Sequence, residues 1–281
     1  MFWNNKLFLL EFVKSNGNNL QFIPNIFRDD KDIVLEAVKS YNLALEFASD
    51  KLKNDREIVL HAVKNISSYP FYVALQFASE QLKDDKEIVL HAVKNSCLSL
   101  RYVSERLKND KEVVLQAIKH NINIFNISLK FASKQLQNDK EIVLEAVKNN
   151  SNALVYASDE FKDNEEIVLI AIKSHCNTNR IILYISKRLQ NNKVIVLEIV
   201  KNNGLALQYA SEELKKDKEI VLQAVKNNGI SLVFAYFKLQ NNKEIVLEAI
   251  NNNYSALQYV SEELKNDKDI ILYLKQLKIM V

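Results

Sequence analysis

Hydrophobic and polar positions recur along this chain in one fixed order. A run close to Asp-Lys-Glu-Ile-Val-Leu-x-Ala-Val-Lys begins at Asn5, Asp30, Asp55, Asp85, Asp110, Asp139, Asn164, Asn192, Asp217, Asn242 and Asp267. The basic spacing is 25 residues; the intervals opening at Asp55, Asp110 and Asn164 are 30, 29 and 28, so three alternate units are longer. Apolar residues such as Ile220, Val221, Leu222, Ala224 and Val225 cover more than half the circumference of a helix, which predicts a helix covered on two sides. Asn54-Asp55-Arg56-Glu57 and Asn109-Asp110-Lys111-Glu112 place a capping side chain three residues before a carboxylate, the spacing of a capping box. Lysine closes most runs, as at Lys64, Lys94, Lys148 and Lys226, where it faces the negative pole of the helix dipole.

Between runs lies a second segment, clearest from Leu205 to Leu214, with Leu207, Ala210 and Leu214 at helical spacing. Its aromatic position holds Phe22, Phe47, Phe77, Tyr102, Phe131, Tyr156, Tyr184, Tyr209, Phe234 and Tyr259. Phe and Tyr exchange freely there, so the ring matters and the hydroxyl does not. Beside leucine and alanine the rings read as core, where Tyr209→Ala would cost about 3–5 kcal/mol. Two residues later stands serine in eight units and Pro24 in the first, which predicts a break and a short extra helical turn before the next run.

One such unit cannot bury its own apolar face, so neighbours must stack. The expected fold is an all-α solenoid of ten to eleven short repeats over residues 1–281, a curved rod or superhelix. The repeated Asp-Lys-Glu-Ile-Val-Leu-x-Ala-Val-Lys, followed by Leu-x-aromatic-Ala-Ser-x-x-Leu-Lys-Asn-Asp, resembles a helical-repeat family catalogued as domain of unknown function 4116. The resemblance covers essentially the whole chain, and the family's unit looks like two of these repeats joined. It implies no known activity and supplies no catalytic residues.

Composition agrees with this: three Gly and two Pro in 281 residues suit neither the turns of a β fold nor a Gly-rich phosphate loop. The formal charge is +3, with 38 basic and 35 acidic side chains interleaved throughout rather than gathered in a basic tract. Nucleic acid is therefore not the expected partner, although a row of rings, one per repeat, leaves single-stranded RNA as the alternative. No catalytic triad, phosphate loop, HExxH helix or paired-carboxylate motif is present, so no enzymatic activity and no cofactor are expected. His61 and His91 hold equivalent solvent-leaning positions in neighbouring repeats, a helix-packing distance of ~8–10 Å apart and too far to share zinc. The same position holds Glu36, Gln116, Glu145 and Ile170 elsewhere, which marks it as surface. Cys97 and Cys176 are too few for a disulfide framework, and His120, His175 and Cys176 read as loop surface. No membrane span or signal peptide is recognised, so an intracellular, by default cytoplasmic, location is expected.

The expected function is a non-catalytic scaffold for a protein partner. The three enlarged connections have lost the repeat signature, and insertions in repeat proteins commonly collect on the binding face. Tyr69, Phe71, Ile124, Phe125, His175 and Arg180 are accordingly the candidate partner-binding residues. The polar helix face bearing Glu36, His61, His91 and Gln116 is the next candidate. The last repeat ends in Leu272, Leu274, Leu277, Ile279, Met280 and Val281, which suggests either a folded-back cap or self-association through an apolar end.

Overall fold

The computed structural model describes residues 5–65, 72–119, 127–174 and 180–276, and no strand occurs among them. Tyr69, Phe71, Ile124, Phe125 and His175 lie outside the described residues. Eleven longer helices follow the eleven runs: α1 (Lys6–Ser15), α2 (Lys31–Ser40), α3 (Arg56–Lys64), α4 (Lys86–Asn95), α5 (Lys111–Lys119), α6 (Lys140–Asn149), α7 (Glu165–Lys173), α8 (Lys193–Asn202), α9 (Lys218–Asn227), α10 (Lys243–Asn252) and α11 (Lys268–Gln276). The chain is an all-α solenoid, and it divides into two compact units, 1–149 and 150–281.

Each start is fixed by the Asp or Asn that opens the run. Asp55 accepts from the N–H groups of Glu57 and Ile58, satisfying donors that have no partner within the helix. This corrects the expected capping box. The cap is Asp55 rather than Asn54, so Glu57 is the second helical residue and cannot reach back; its carboxylate instead meets Lys31 of the preceding repeat. Asn54 accepts from the Ser79 hydroxyl of the following repeat.

The second segment is a 3-10 helix in most repeats, for example Asn42–Phe47, Gly204–Tyr209 and Gly229–Phe234. The serine that follows breaks it, as expected, and caps a four-residue helical turn: Ser49 before Asp50–Lys53, Ser79 before Glu80–Lys83 and Ser104 before Glu105–Lys108. That serine also ties repeats together. In the first unit the Ser49, Ser79, Ser104 and Ser133 N–H groups donate to the carbonyls of Arg28, Lys53, Lys83 and Lys108, one repeat back. In the second unit Ser186, Ser211 and Tyr236 do the same to Lys162, Gln190 and Lys215.

The core of each repeat is four helix positions, Ile33, Val34, Ala37 and Val38 in α2 and Ile220, Val221, Ala224 and Val225 in α9, with Leu45 or Leu207 from the 3-10 segment. The third residue of the Ile-Val-Leu triplet departs from the expectation: Leu35, Leu60, Leu90, Leu115 and Leu222 are only half-buried. It shares a helix face with the terminal lysine four residues on, so it lies at the rim of the core.

Candidate functional site

The ring at the end of each 3-10 segment is the most regular feature on the surface. None of the ten belongs to the buried core: Phe22 is 62% exposed, Tyr209 38%, and the other eight are half-buried. This overturns their assignment as core. In a 3-10 helix residues three apart share an edge, which places Leu207 with Ala210 and sets Tyr209 on a different edge. Leu207 and Ala210 are buried accordingly.

The two units present their rings in different electrostatic settings. In the first, Arg101 lies 5.7 Å from the Tyr102 ring centre and Lys130 5.7 Å from that of Phe131, both at cation–π distance. A hollow of about 550 Å³ opens there between three successive repeats, lined by Asn18, Tyr41, Leu43, Glu46, Tyr72, Gln76 and Phe77. In the second unit the ring segments Ser151–Tyr156, Ile181–Leu183 with Tyr184, Gly204–Tyr209, Gly229–Phe234 and Tyr254–Tyr259 contain no charged side chain. Leu183 and Tyr254 add exposed apolar surface to that row. Arg180 is the one candidate loop residue the structure places. It is exposed, opens the segment that carries Leu183 and Tyr184, and makes no capping bond with its side chain.

Most of the lysines that open the helices are committed within the stack. Lys31 lies 2.8 Å from Asp55 and 2.9 Å from Glu57; Lys86, Lys111 and Lys193 make the same fork to the next repeat. Hydrogen bonds to Asp55 and Glu57 push the Lys31 ammonium up to about 12. Partial burial would raise the Asp55 carboxyl, but Lys31 and the N–H groups of Ile58 and Glu57 outweigh it and hold the group below its ordinary value. The fork is interrupted where Glu165 replaces the lysine. There Arg188 instead grips Glu165 at 2.8 Å and Asp163 at 3.0 Å.

Among the described residues no three His, Cys, Asp or Glu side chains gather as a metal centre requires. His61 and His91 are half-buried on α3 and α4. Cys97 is buried, and that burial pushes its thiol up, away from the reactive thiolate form.

The family comparison matches the domain of unknown function DUF4116 over residues 5–50, 30–83, 66–108, 85–137, 110–162, 139–190, 164–215, 195–240 and 242–276. The chain belongs to this family. Most DUF4116 matches span two repeats and overlap their neighbours by one, so the family pattern fits the chain in both phases of the doublet. A comparison with curated proteins gave no match, and neither did one with solved structures. No helix among the described residues of this DUF4116 chain is long and apolar enough to cross a membrane.

The sequence missed the exposure of the rings and the ion forks. The forks leave a legible trace, a lysine after each cap and a carboxylate two residues after the next cap, one repeat later. The ring position leaves none, because an aromatic between leucine and alanine reads as core whether the segment is 3-10 or, as at Ser128–Phe131, a short α-helix.

Proposed function

We propose that this DUF4116 chain is a non-catalytic scaffold that binds a protein partner through its row of aromatic rings. The single observation that carries this reading is the ring in every repeat that stops short of the core, although Phe or Tyr is kept at that position ten times. Half-buried aromatic side chains with little charge around them are the material of the centre of a protein interface. In the second unit the row is long and uncharged, which suits an apolar protein surface better than a polyanion.

Exposed rings also favour one other reading, a platform on which single-stranded RNA bases stack. Against it stands the commitment of most helix-opening lysines to carboxylates, which leaves the stack without a cationic track along its forks.

Affinity capture from the native cell with the intact chain, and with a Tyr209→Ala, Phe234→Ala, Tyr259→Ala variant, tests the proposal. A protein retained by the first and lost by the folded variant supports it; equal retention removes the ring row from consideration. Salt-dependent binding of a random single-stranded RNA pool, abolished by the same substitutions, would replace it with the stacking reading.

A further inference from the structure

A second surface lies on the long helices of the first unit. In α2 and α8 the lysine that closes the helix is neutralised by a glutamate three residues earlier, with Lys39 and Lys201 each 2.7 Å from Glu36 and Glu198. In α3, α4 and α5 that glutamate is replaced by His61, His91 and Gln116. Lys64, Lys94 and Lys119 are exposed there and have no ion-pair partner among the described residues. On α2 the row ends at the Lys39–Glu36 pair, and α3–α5 are three consecutive repeats in which no carboxylate stands three residues before the closing lysine. The carboxylates on the same helices, Glu57, Glu87 and Glu112, sit at the opposite ends, held by Lys31, Arg56 and Lys86. The closing ends of α3–α5 therefore carry uncompensated positive charge.

Beside the cations runs an apolar row. Leu60, Leu90 and Leu115 are half-buried, each one helical turn before its lysine and on the same face. An occupant must offer one apolar edge and one acidic edge. The helices are stacked neighbours at a spacing of ~8–10 Å, and residues seven apart on a helix are separated by about 10.5 Å. A nucleic-acid backbone would use the lysines and leave the leucines uncovered.

We infer that the closing ends of α3, α4 and α5 bind an acidic amphipathic helix of a partner protein, its apolar side chains over the leucine row and its carboxylates on Lys64, Lys94 and Lys119. This deepens the scaffold reading by naming a second surface, separate from the rings, and the chemistry of its occupant.

The test uses the full chain and fluorescence anisotropy of three labelled probes. These are a synthetic peptide with leucine at every seventh residue and glutamate beside it, the same peptide with lysine for glutamate, and oligouridine. Expected is binding of the acidic peptide alone, weakened roughly tenfold by Lys64→Gln, Lys94→Gln, Lys119→Gln, as three surface charge pairs would give. The corresponding Lys→Glu variant should weaken it further. These lysines make no ion pair among the described residues and support the fold only through the helix dipole, so the Gln variant should still unfold cooperatively with a slightly lower melting midpoint, which separates lost binding from lost folding. No binding of the acidic peptide, equal affinity in the Gln variant, or tighter binding of oligouridine would each overturn the proposal. The ring variant should bind the peptide normally. If it loses its captured partner while the intact chain ignores the peptide, this inference fails and the ring-row reading stands.

Discussion

At the scale of single residues, the distances between repeats decide what a side chain may be. A Cβ on Gly229 would stand 2.2 Å from the Ala249 carbonyl oxygen of the next helix, and one on Gly204 equally close to that of Ala224. The Gly204 and Gly229 N–H groups donate at 2.7 Å to Asn227 and Asn252, whose amides donate back to the carbonyls of Lys201 and Lys226. Gly229→Ala must therefore push two repeats apart, and a loss of about 1–3 kcal/mol in urea unfolding is expected, as for overpacking elsewhere. Ser231 behaves oppositely. Its hydroxyl is fully buried without a partner, whereas the equivalent Ser99 and Ser128 donate to the Ala92 and Ala117 carbonyls. Ala44, Ala206 and Ala256 fill the same position elsewhere. Ser231→Ala should leave stability unchanged or raise it by about 1 kcal/mol, since it removes an unsatisfied polar group; a comparable loss would show the hydroxyl to be paired. Neither effect could be read from sequence, where these residues look like ordinary turn formers.

At the scale of the element, the cap and the ion fork make each long helix depend on its neighbour. Asp55 caps α3 and also receives Lys31 from α2, so protonating it weakens a helix start and an inter-repeat contact together. The native Asp55 carboxyl is held below its ordinary value of 3.8, so its contribution is fully present above that value and is lost as pH falls toward the lower native one. Lys31 works in the other direction. Its contribution is intact below 10.5 and is lost as pH rises through the native value near 12. Because Asp30, Asp85, Asp110, Asp139 and Asp217 are shifted the same way as Asp55, the midpoint of thermal unfolding should be flat between these limits and fall at both edges. A midpoint that changes steadily through neutral pH would show other groups in control. The helices themselves were legible, because cap, Ile-Val pair, Ala-Val pair and terminal lysine all agree on one register. The 3-10 segment was not, since Leu207, Ala210 and Leu214 satisfy helical spacing without distinguishing a three-residue from a 3.6-residue turn.

At the scale of the whole chain, repetition made the architecture readable: eleven runs became eleven helices, and DUF4116 matches nearly the full length. Of the candidate binding residues, only Arg180 falls within the described residues. The surface that emerged instead is the row of rings, hidden from sequence reasoning because an aromatic beside leucine and alanine has the composition of core. The central claim is that aliphatic residues hold each repeat together and the rings are presented outward. Urea unfolding of Leu207→Ala beside Tyr209→Ala, two positions in one repeat, tests it most directly. Leu207 is fully buried and Tyr209 is 38% exposed. The expected result is a loss of about 2–5 kcal/mol for Leu207→Ala and only about 1–1.5 kcal/mol for Tyr209→Ala, in keeping with partial burial. A loss at Tyr209 equal to or greater than that at Leu207 would return the rings to the core and contradict the claim.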